Sequence, residues 1–290
     1  MTEHATERGW FADLDPGSVD GAREAIDDGS AAEPADWPQR AVETGFADSE
    51  ADYYELLQEA TVAATRATVV DREQANDKQL LHAVRAMDDA DRTANELAER
   101  LAEWAGTLFD DVGTGVDAAR QLADREPSTP LESRVISLAE RVDDLATEAD
   151  ELRTFIKRQA PEVAPNLSEM AGAVLAARLI ALAGGLEALA KKPSGTVQVL
   201  GAEDALFAHL AGRGSSPKHG IIYTHEYVSG TRPEDRGSAS RALAGKLSIA
   251  ARIDHYSGER RSEIHAELAD RMSTIRARAE GDDTSEGGDQ

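Results

Sequence analysis

The sequence predicts a mainly all-α protein: an antiparallel coiled-coil hairpin followed by a helical domain, with a small N-terminal region that is either α/β or partly disordered. Three observations predict it. Leu131, Val135, Leu138, Val142, Leu145, Ala149, Leu152 and Ile156 step by alternating fours and threes, an a/d seam running over roughly four heptads. Upstream, Leu80, Val84, Met87, Ala94, Leu97, Leu101, Trp104 and Leu108 fall mostly along one helical stripe, interrupted by Asp91. Hydrophobic residues make up 41% of the chain but aromatics only 4%, so the core must rest on Leu, Ala, Val and Ile, and alanine-rich runs with few internal breakers favour helix.

The segments divide at 1–70, 71–160, 161–280 and 281–290. The first sixty residues hold sixteen acids and three basic residues, a net of −13, and are laced with glycines and prolines such as Gly9, Pro16, Gly17, Pro34 and Pro38. Trp10, Phe11, Trp37 and Phe46 are their apolar points. An acidic, loop-rich surface and a folded docking module both fit. A helix is expected from about 51 to 70. In the coiled-coil segment, Gly113, Gly115, Pro127 and Pro130 separate a helix over 74–109 from the seam helix, with a turn or two of helix between them. So narrow a seam needs covering, either by 74–109 folding back antiparallel or by a second chain.

Pro161 and Pro165 are expected to end the seam helix, and Asn166 or Ser168 to cap the next. The small-residue run 171–190 reads as a buried helix broken at Gly184 and Gly185. Short extended pieces are expected within 197–200 and at 221–223, and helices over 202–210, 233–254 and about 259–279. The acidic tail 281–290 reads as disordered.

No cysteine is present, which excludes disulfides and thiolate metal sites and suits a cytoplasmic location. The start, MTEHATERG, lacks a signal-peptide core, and 171–190 contains Arg178 and Glu187, so no membrane span is expected. The seven histidines include no HExxH pair. GRGSSPKHG has the Gly, Ser and Lys of a phosphate loop without its GxxxxGK[ST] order. No cofactor, metal or catalytic residue is expected, and the chain reads as a non-enzyme.

The formal net charge is −24, from 55 acids and 31 Lys plus Arg. Residues 161–260 depart from it, with eleven basic residues and ten acids. Within 207–252, Arg213, Lys218, Arg232, Arg236, Arg241, Lys246 and Arg252 face three acids. Contacts to phosphate explain this neutrality, as does a well-packed domain with fewer positions to acidify. Gly212, Gly214 and Pro217 shape a loop bearing Arg213, Lys218 and His219, with Tyr223 nearby. Two cations, a ring donor and a stacking face suit unpaired RNA bases, although Tyr223 fits a core position equally well. Acid elsewhere fits a high-salt milieu, where the Debye length falls to about 3 Å at 1 M salt.

APNLSEMAGAVLAARLIALAGGLEALAKKPSGTVQVLGAEDALFAHL (164–210), PKHGIIYTHEYV (217–228) and RGSASRALAGKLSIAARIDHYSG (236–258) resemble the two halves of the Nop domain. NDKQLLHAVRAMDDADRTANELAERLAEWAGTLF (76–109) is similar to the first coiled-coil helix of the archaeal Nop scaffold protein of box C/D guide ribonucleoproteins. The likeness covers 76–109 and 150–258, several blocks in the right order.

The resemblance implies a non-catalytic scaffold, in a halophilic archaeon on the composition. Its partners would be a box C/D guide RNA with a kink-turn, the ribosomal-type protein bound there, and a fibrillarin-like methyltransferase that 2′-O-methylates rRNA and tRNA. The methyl donor would belong to the methyltransferase. Self-association would run through the coiled coil, with Leu131, Val135, Leu138, Val142, Leu145 and Leu152 as its seam. Matching by block, Lys218, His219, Arg213, Arg241, Lys246, Arg236 and Arg252 would contact RNA, and Glu203, Leu206 and Phe207 the bound protein. Two positions depart: Asp204 and Ala208 stand where the family usually has basic residues. They favour the rival reading, a coiled-coil structural adaptor with weakened RNA binding. A spliceosomal-type relative sharing the domain is a further rival.

Overall fold

The structure is a computed structural model that describes residues 9–12, 14–15, 18–28 and 35–286. It divides into two units, Met1–Ala75 and Asn76–Gln290.

In the first unit, helices α1 (Val19–Asp28), α2 (Trp37–Thr44) and α3 (Glu50–Gln74) surround a small aromatic core. Phe11 and Phe46 stack with ring centroids 5.1 Å apart, and the Trp10 indole donates to the Tyr53 hydroxyl at 3.1 Å. Ala41, Trp37, Leu56 and Leu57 close around them. The scattered apolar points of the sequence thus converge, and among the described residues this unit contains no strand. Asp36 and Ser49 start α2 and α3 by accepting from Gln39 N and Asp52 N.

The second unit opens with α4 (Asn76–Ala105), α5 (Val116–Ala123) and α6 (Pro130–Val163). Thr129, Pro130 and Glu132 fix the start of α6. The Thr129 hydroxyl accepts from Glu132 N, and the Glu132 carboxylate accepts from Ser128 N. α4 and α6 run antiparallel. Leu80, Val84 and Met87 share a cluster with Ile156 and Ala160, whereas Ala98, Leu101 and Ala105 meet Val135, Ala139 and Val142. Cover for the seam therefore comes from within the chain. α5 lies across that end through Ala119 and Leu122, and Arg120 Nε donates to Asp143 at 2.8 Å.

The buried stripe is not the expected heptad. Val135, Val142, Ala149 and Ile156 are buried as expected, but Ala139, Ala146 and Ala160 complete the stripe. Leu138, Leu145 and Leu152 are half-buried shoulders. Leu131 stands in the first turn of α6, ahead of the stripe, and is 58% exposed. On α4, Ala98 and Ala105 are buried where Leu97 and Trp104 were expected. Small residues facing one another let two helices approach closely, and larger neighbours then wrap the rim.

α6 also runs through Pro161 to Val163. Pro161 lies in the last turn, where few further helical hydrogen bonds are lost, whereas Ala164, the residue before Pro165, leaves helical geometry at φ −144° and ψ 78°. There the chain turns into the head: α7 (Pro165–Ala171), α8 (Ala173–Ala183), α9 (Leu186–Lys191), α10 (Ser194–Val199), α11 (Glu203–Leu210), α12 (Glu226–Ser229), α13 (Arg236–Tyr256) and α14 (Glu263–Glu286).

The expected extended pieces are helical. Residues 197–199 belong to α10, and Ile221–Thr224 forms a 3-10 turn; among the described residues there is no sheet for either to join. The tail was expected to be disordered from 281, but α14 continues to Glu286, since extending an existing helix costs far less than starting one. Residues 287–290 of that tail lie outside the described residues. Among the described residues no single helix is long and apolar enough to cross a membrane. α7 and α8 together have the composition, but they meet at 118° and are largely buried.

Two of the short helices are capped from far away. Neither Ala164 nor Gly185, their N-caps, has a capping side chain. Asp254 on α13 supplies the first cap, accepting from Asn166 N at 3.0 Å, Leu167 N at 2.8 Å and Asn166 Nδ2 at 2.6 Å. Asn166 is therefore the ward of a cap rather than the cap expected, and Ser168 lies buried inside α7. Asp77 on α4 supplies the second, accepting from Leu186 N at 2.8 Å, while Lys78 Nζ donates to Gly184 O at 2.7 Å. With the Arg178–Asp88 ion pair, these contacts lock the head onto the base of the hairpin.

Candidate nucleic-acid interface

The loop 211–220 is pinned at both ends. Arg213 N donates to Ala208 O at 2.8 Å, and His209 Nδ1 lies 3.0 Å from Gly214 O. At the other end, Gly220 N donates to Gln198 O at 2.9 Å and Ile221 N to Leu200 O at 2.8 Å. The Gln198 side-chain amide closes the frame by donating to Lys218 O at 2.8 Å. Only glycine fits position 220, because a Cβ there would stand 2.0 Å from Leu200 O.

This frame brings four residues together. The His219 and Tyr223 rings stack at 4.7 Å with an interplanar angle of 24°. The Arg236 guanidinium lies over the other part of the group, 5.4 Å from the Tyr223 centroid. It is fixed there by donating from Nε to Thr231 O at 3.0 Å and from Nη2 to Ser229 O at 3.4 Å. Lys218 extends toward Gly237 at the start of α13, within 4.0 Å of where a Cβ there would sit. Tyr223 is 39% exposed, which decides between the two roles the sequence left open: it is a surface platform. Burial, then the Arg236 and Lys218 charges, hold the His219 imidazole below its usual pKa, so at neutral pH the ring is a neutral stacking surface.

The remaining cations are dispersed. Arg213 is exposed at the loop tip, and Arg241 is exposed on α13 with no ion pair among the described residues. Lys246 is drawn into an ion pair with Glu267 of α14. Arg252 donates to Ala190 O at 3.1 Å and Lys192 O at 3.3 Å, which makes it a clasp between helices. Residues 236, 241 and 246 are spaced by five, so one helix cannot aim all three the same way.

Beside the loop, α11 has no buried residue. Phe207 is 63% and Leu210 72% exposed, with Leu206 half-buried, so an apolar ridge stands in solvent. Glu203, expected to contact a partner, accepts from Gly201 N at 2.9 Å and braces the start of α11. Asp204 is exposed next to it.

Sequence reasoning missed Gln198, the Asp254 cap and the stacking of His219 on Tyr223. The glycine at 220 was the available signal for the loop frame. Nothing in the residues themselves announced the Asp254–Asn166 pair, which joins positions 88 apart.

A basic, aromatic-bearing loop on a helical head, carried at the base of a long hairpin, defines a helical scaffold. Among the described residues no group of three or more His, Asp or Glu side chains is placed to hold a metal ion. The family model described as "Nop: snoRNA binding domain, fibrillarin" matches residues 76–275. The chain belongs to the Nop family. An uncharacterized NOP5 family protein of Methanocaldococcus jannaschii is 32% identical over 271 residues, covering 81% of this chain and 66% of that protein. Nucleolar protein 56 of Saccharomyces cerevisiae is 34% identical over 239 residues, covering 68% of this chain and 47% of that protein. The chain thus spans about half to two thirds of the length of these relatives.

A chain of a solved fibrillarin/Nop5p complex superposes with a TM-score of 0.52 at 23% identity, covering 92% of this chain and 98% of that one. That likeness supports the fold: long coiled-coil helices followed by a Nop domain. One expectation is corrected. A cytoplasmic location was read from the absence of cysteine, but the fungal and mammalian relatives are named nucleolar proteins, and cysteine content reports redox state rather than address.

Proposed function

We propose that the chain is a scaffold of a box C/D guide ribonucleoprotein, reading a kink-turn RNA together with the ribosomal-type protein bound to it. The observation that carries this is the Lys218, His219, Tyr223 and Arg236 cluster beside the exposed apolar ridge of α11. Stacked rings and cations suit splayed bases and phosphates, and Leu206, Phe207 and Leu210 suit an apolar protein surface. Arg213 and Arg241 extend the cationic rim.

The fibrillarin-like methyltransferase docks on the first unit, and brings the 2′-O-methylation of rRNA and tRNA with its own methyl donor. A second copy joins through the hairpin, where Leu138, Leu145, Leu152 and the 37% exposed Phe155 line a flank that the chain's own helices leave half open. The net charge of −24 suits an archaeal protein working at high salt.

A mobility-shift assay in molar salt tests the reading. Kink-turn RNA should shift with this chain only when the ribosomal-type protein is present, and adding fibrillarin should shift it further. No ternary complex at any salt overturns RNA recognition. It favours the second reading, a coiled-coil adaptor with weakened RNA binding, for which the acidic Asp204 and the short Ala208 speak. Charge reversal at Lys218 and Arg241 should weaken the complex without changing the unfolding midpoint.

A further inference from the structure

We infer that the RNA-binding face continues onto the C-terminal helix, where Arg276 is a second stacked arginine that contacts a phosphate beside Arg236; this rests on the RNA reading above. The register of α14 places it. Ile264, Leu268, Met272 and Ile275 are buried in the main core, and the Lys246–Glu267 pair ties the near end. Arg276 directly follows buried Ile275, is itself exposed, and lies beside the α12 turn.

Its surroundings repeat those of Arg236. The Arg276 guanidinium lies 5.6 Å from the Tyr227 centroid, as Arg236 lies 5.4 Å from that of Tyr223. The two tyrosines are four residues apart on one short segment. Arg276 Nη2 makes a long 3.5 Å hydrogen bond to Glu226 O, and Arg236 donates to Ser229 O and Thr231 O. A Cβ at position 230 would stand 2.7 Å from Glu226 O, so the turn that offers this carbonyl to Arg276 closes only around glycine. Two arginines thus converge on the backbone of 226–231 from opposite helices, α13 and α14.

Neither is neutralised. In a chain with 55 acids, Arg232 between them pairs with Glu234 and Asp235, and Arg178, Lys246 and Arg261 also have carboxylate partners. Among the described residues Arg236 and Arg276 make no ion pair and are held by carbonyl oxygens and rings instead. A guanidinium has five donors in a fixed fork. Stacking holds both guanidinium groups in place, and a phosphate accepts such a fork bidentately. The exposed Glu226 carboxylate sits on the same turn and opposes an approaching phosphate.

Fluorescence anisotropy of the full chain on a kink-turn RNA with its ribosomal-type protein, titrated across KCl concentrations, tests this. Arg276→Ala should weaken binding roughly fivefold to tenfold and lower the salt slope by about one. Arg276→Lys, which keeps charge but not the fork, should fall between. Glu226→Gln should tighten binding, and it stays informative even if the alanine variant unfolds. Wild-type binding with Arg276→Ala and Glu226→Gln both unchanged overturns the inference and leaves the RNA reading intact. No binding by the wild type overturns both.

Discussion

Asp254 is one carboxylate answering for three donors. It is 9% exposed and holds the first turn of α7 from the far end of α13. Asp254→Ala leaves those donors buried and unpaired, and should cost about 3 kcal/mol, read as a lower urea midpoint. Asp254→Asn keeps an acceptor and should cost less. His219 makes a different prediction. Its imidazole is held neutral at neutral pH by burial and by the Arg236 and Lys218 charges. A phosphate brought alongside favours the protonated ring, so binding RNA takes up a proton and affinity rises as pH falls from 8 to 6. Anisotropy at both values checks this, and His219→Gln should flatten the dependence. The sequence revealed the type of these side chains but not their company. Lys218, His219 and Arg236 were legible as cations and a ring. That Tyr223 would unite them, while Lys246 and Arg252 served as structural ties, depended on which face of α13 each occupies.

Helices were legible as elements because period and breakers are local. The heptad of α6 and the stripe of α4 were found where they lie, and the antiparallel return was one of the two covers the sequence offered for the seam. What the pattern concealed is which residues touch. Hydrophobicity ranks leucine above alanine, so the seam included Leu138, Leu145 and Leu152, whereas Ala139 and Ala146, left out of it, are buried and those leucines stand at the rim. Ala139→Leu should therefore overpack the hairpin and cost about 1–3 kcal/mol, seen as a lower melting temperature. Leu131→Ala, at a position 58% exposed, should barely move it. The reverse order would restore the leucine seam. The short helices of the head were the least legible. The strand-like VQVL and IIY fold as α10 and a 3-10 turn because packing, not propensity, decides runs that brief.

Over the whole molecule, acid is thinned in one stretch. The net charge is −24, yet 161–260 is close to neutral and contains the stacked cluster. Self-repulsion of such a chain is long-ranged at low salt and is screened as the Debye length falls from about 10 Å at 0.1 M to about 3 Å at 1 M. The melting temperature should rise over that range of KCl; a fall would show that attractive ion pairs outweigh repulsion. The two capping carboxylates have a consequence of another kind, for the order in which the chain is made. α7 and α9 have seven and six residues, too few to hold alone. The cap of α9 has already been synthesised 109 positions earlier, at Asp77, and waits for its helix. The cap of α7 arrives 88 positions after Asn166, at Asp254. A nascent chain can therefore cap α9 as soon as it emerges, whereas α7 lacks its cap until Asp254 has left the ribosome. Completion of the head is timed to the emergence of the same helix that carries Arg236 and Arg241, so the stacked cluster and the first turn of α7 mature together.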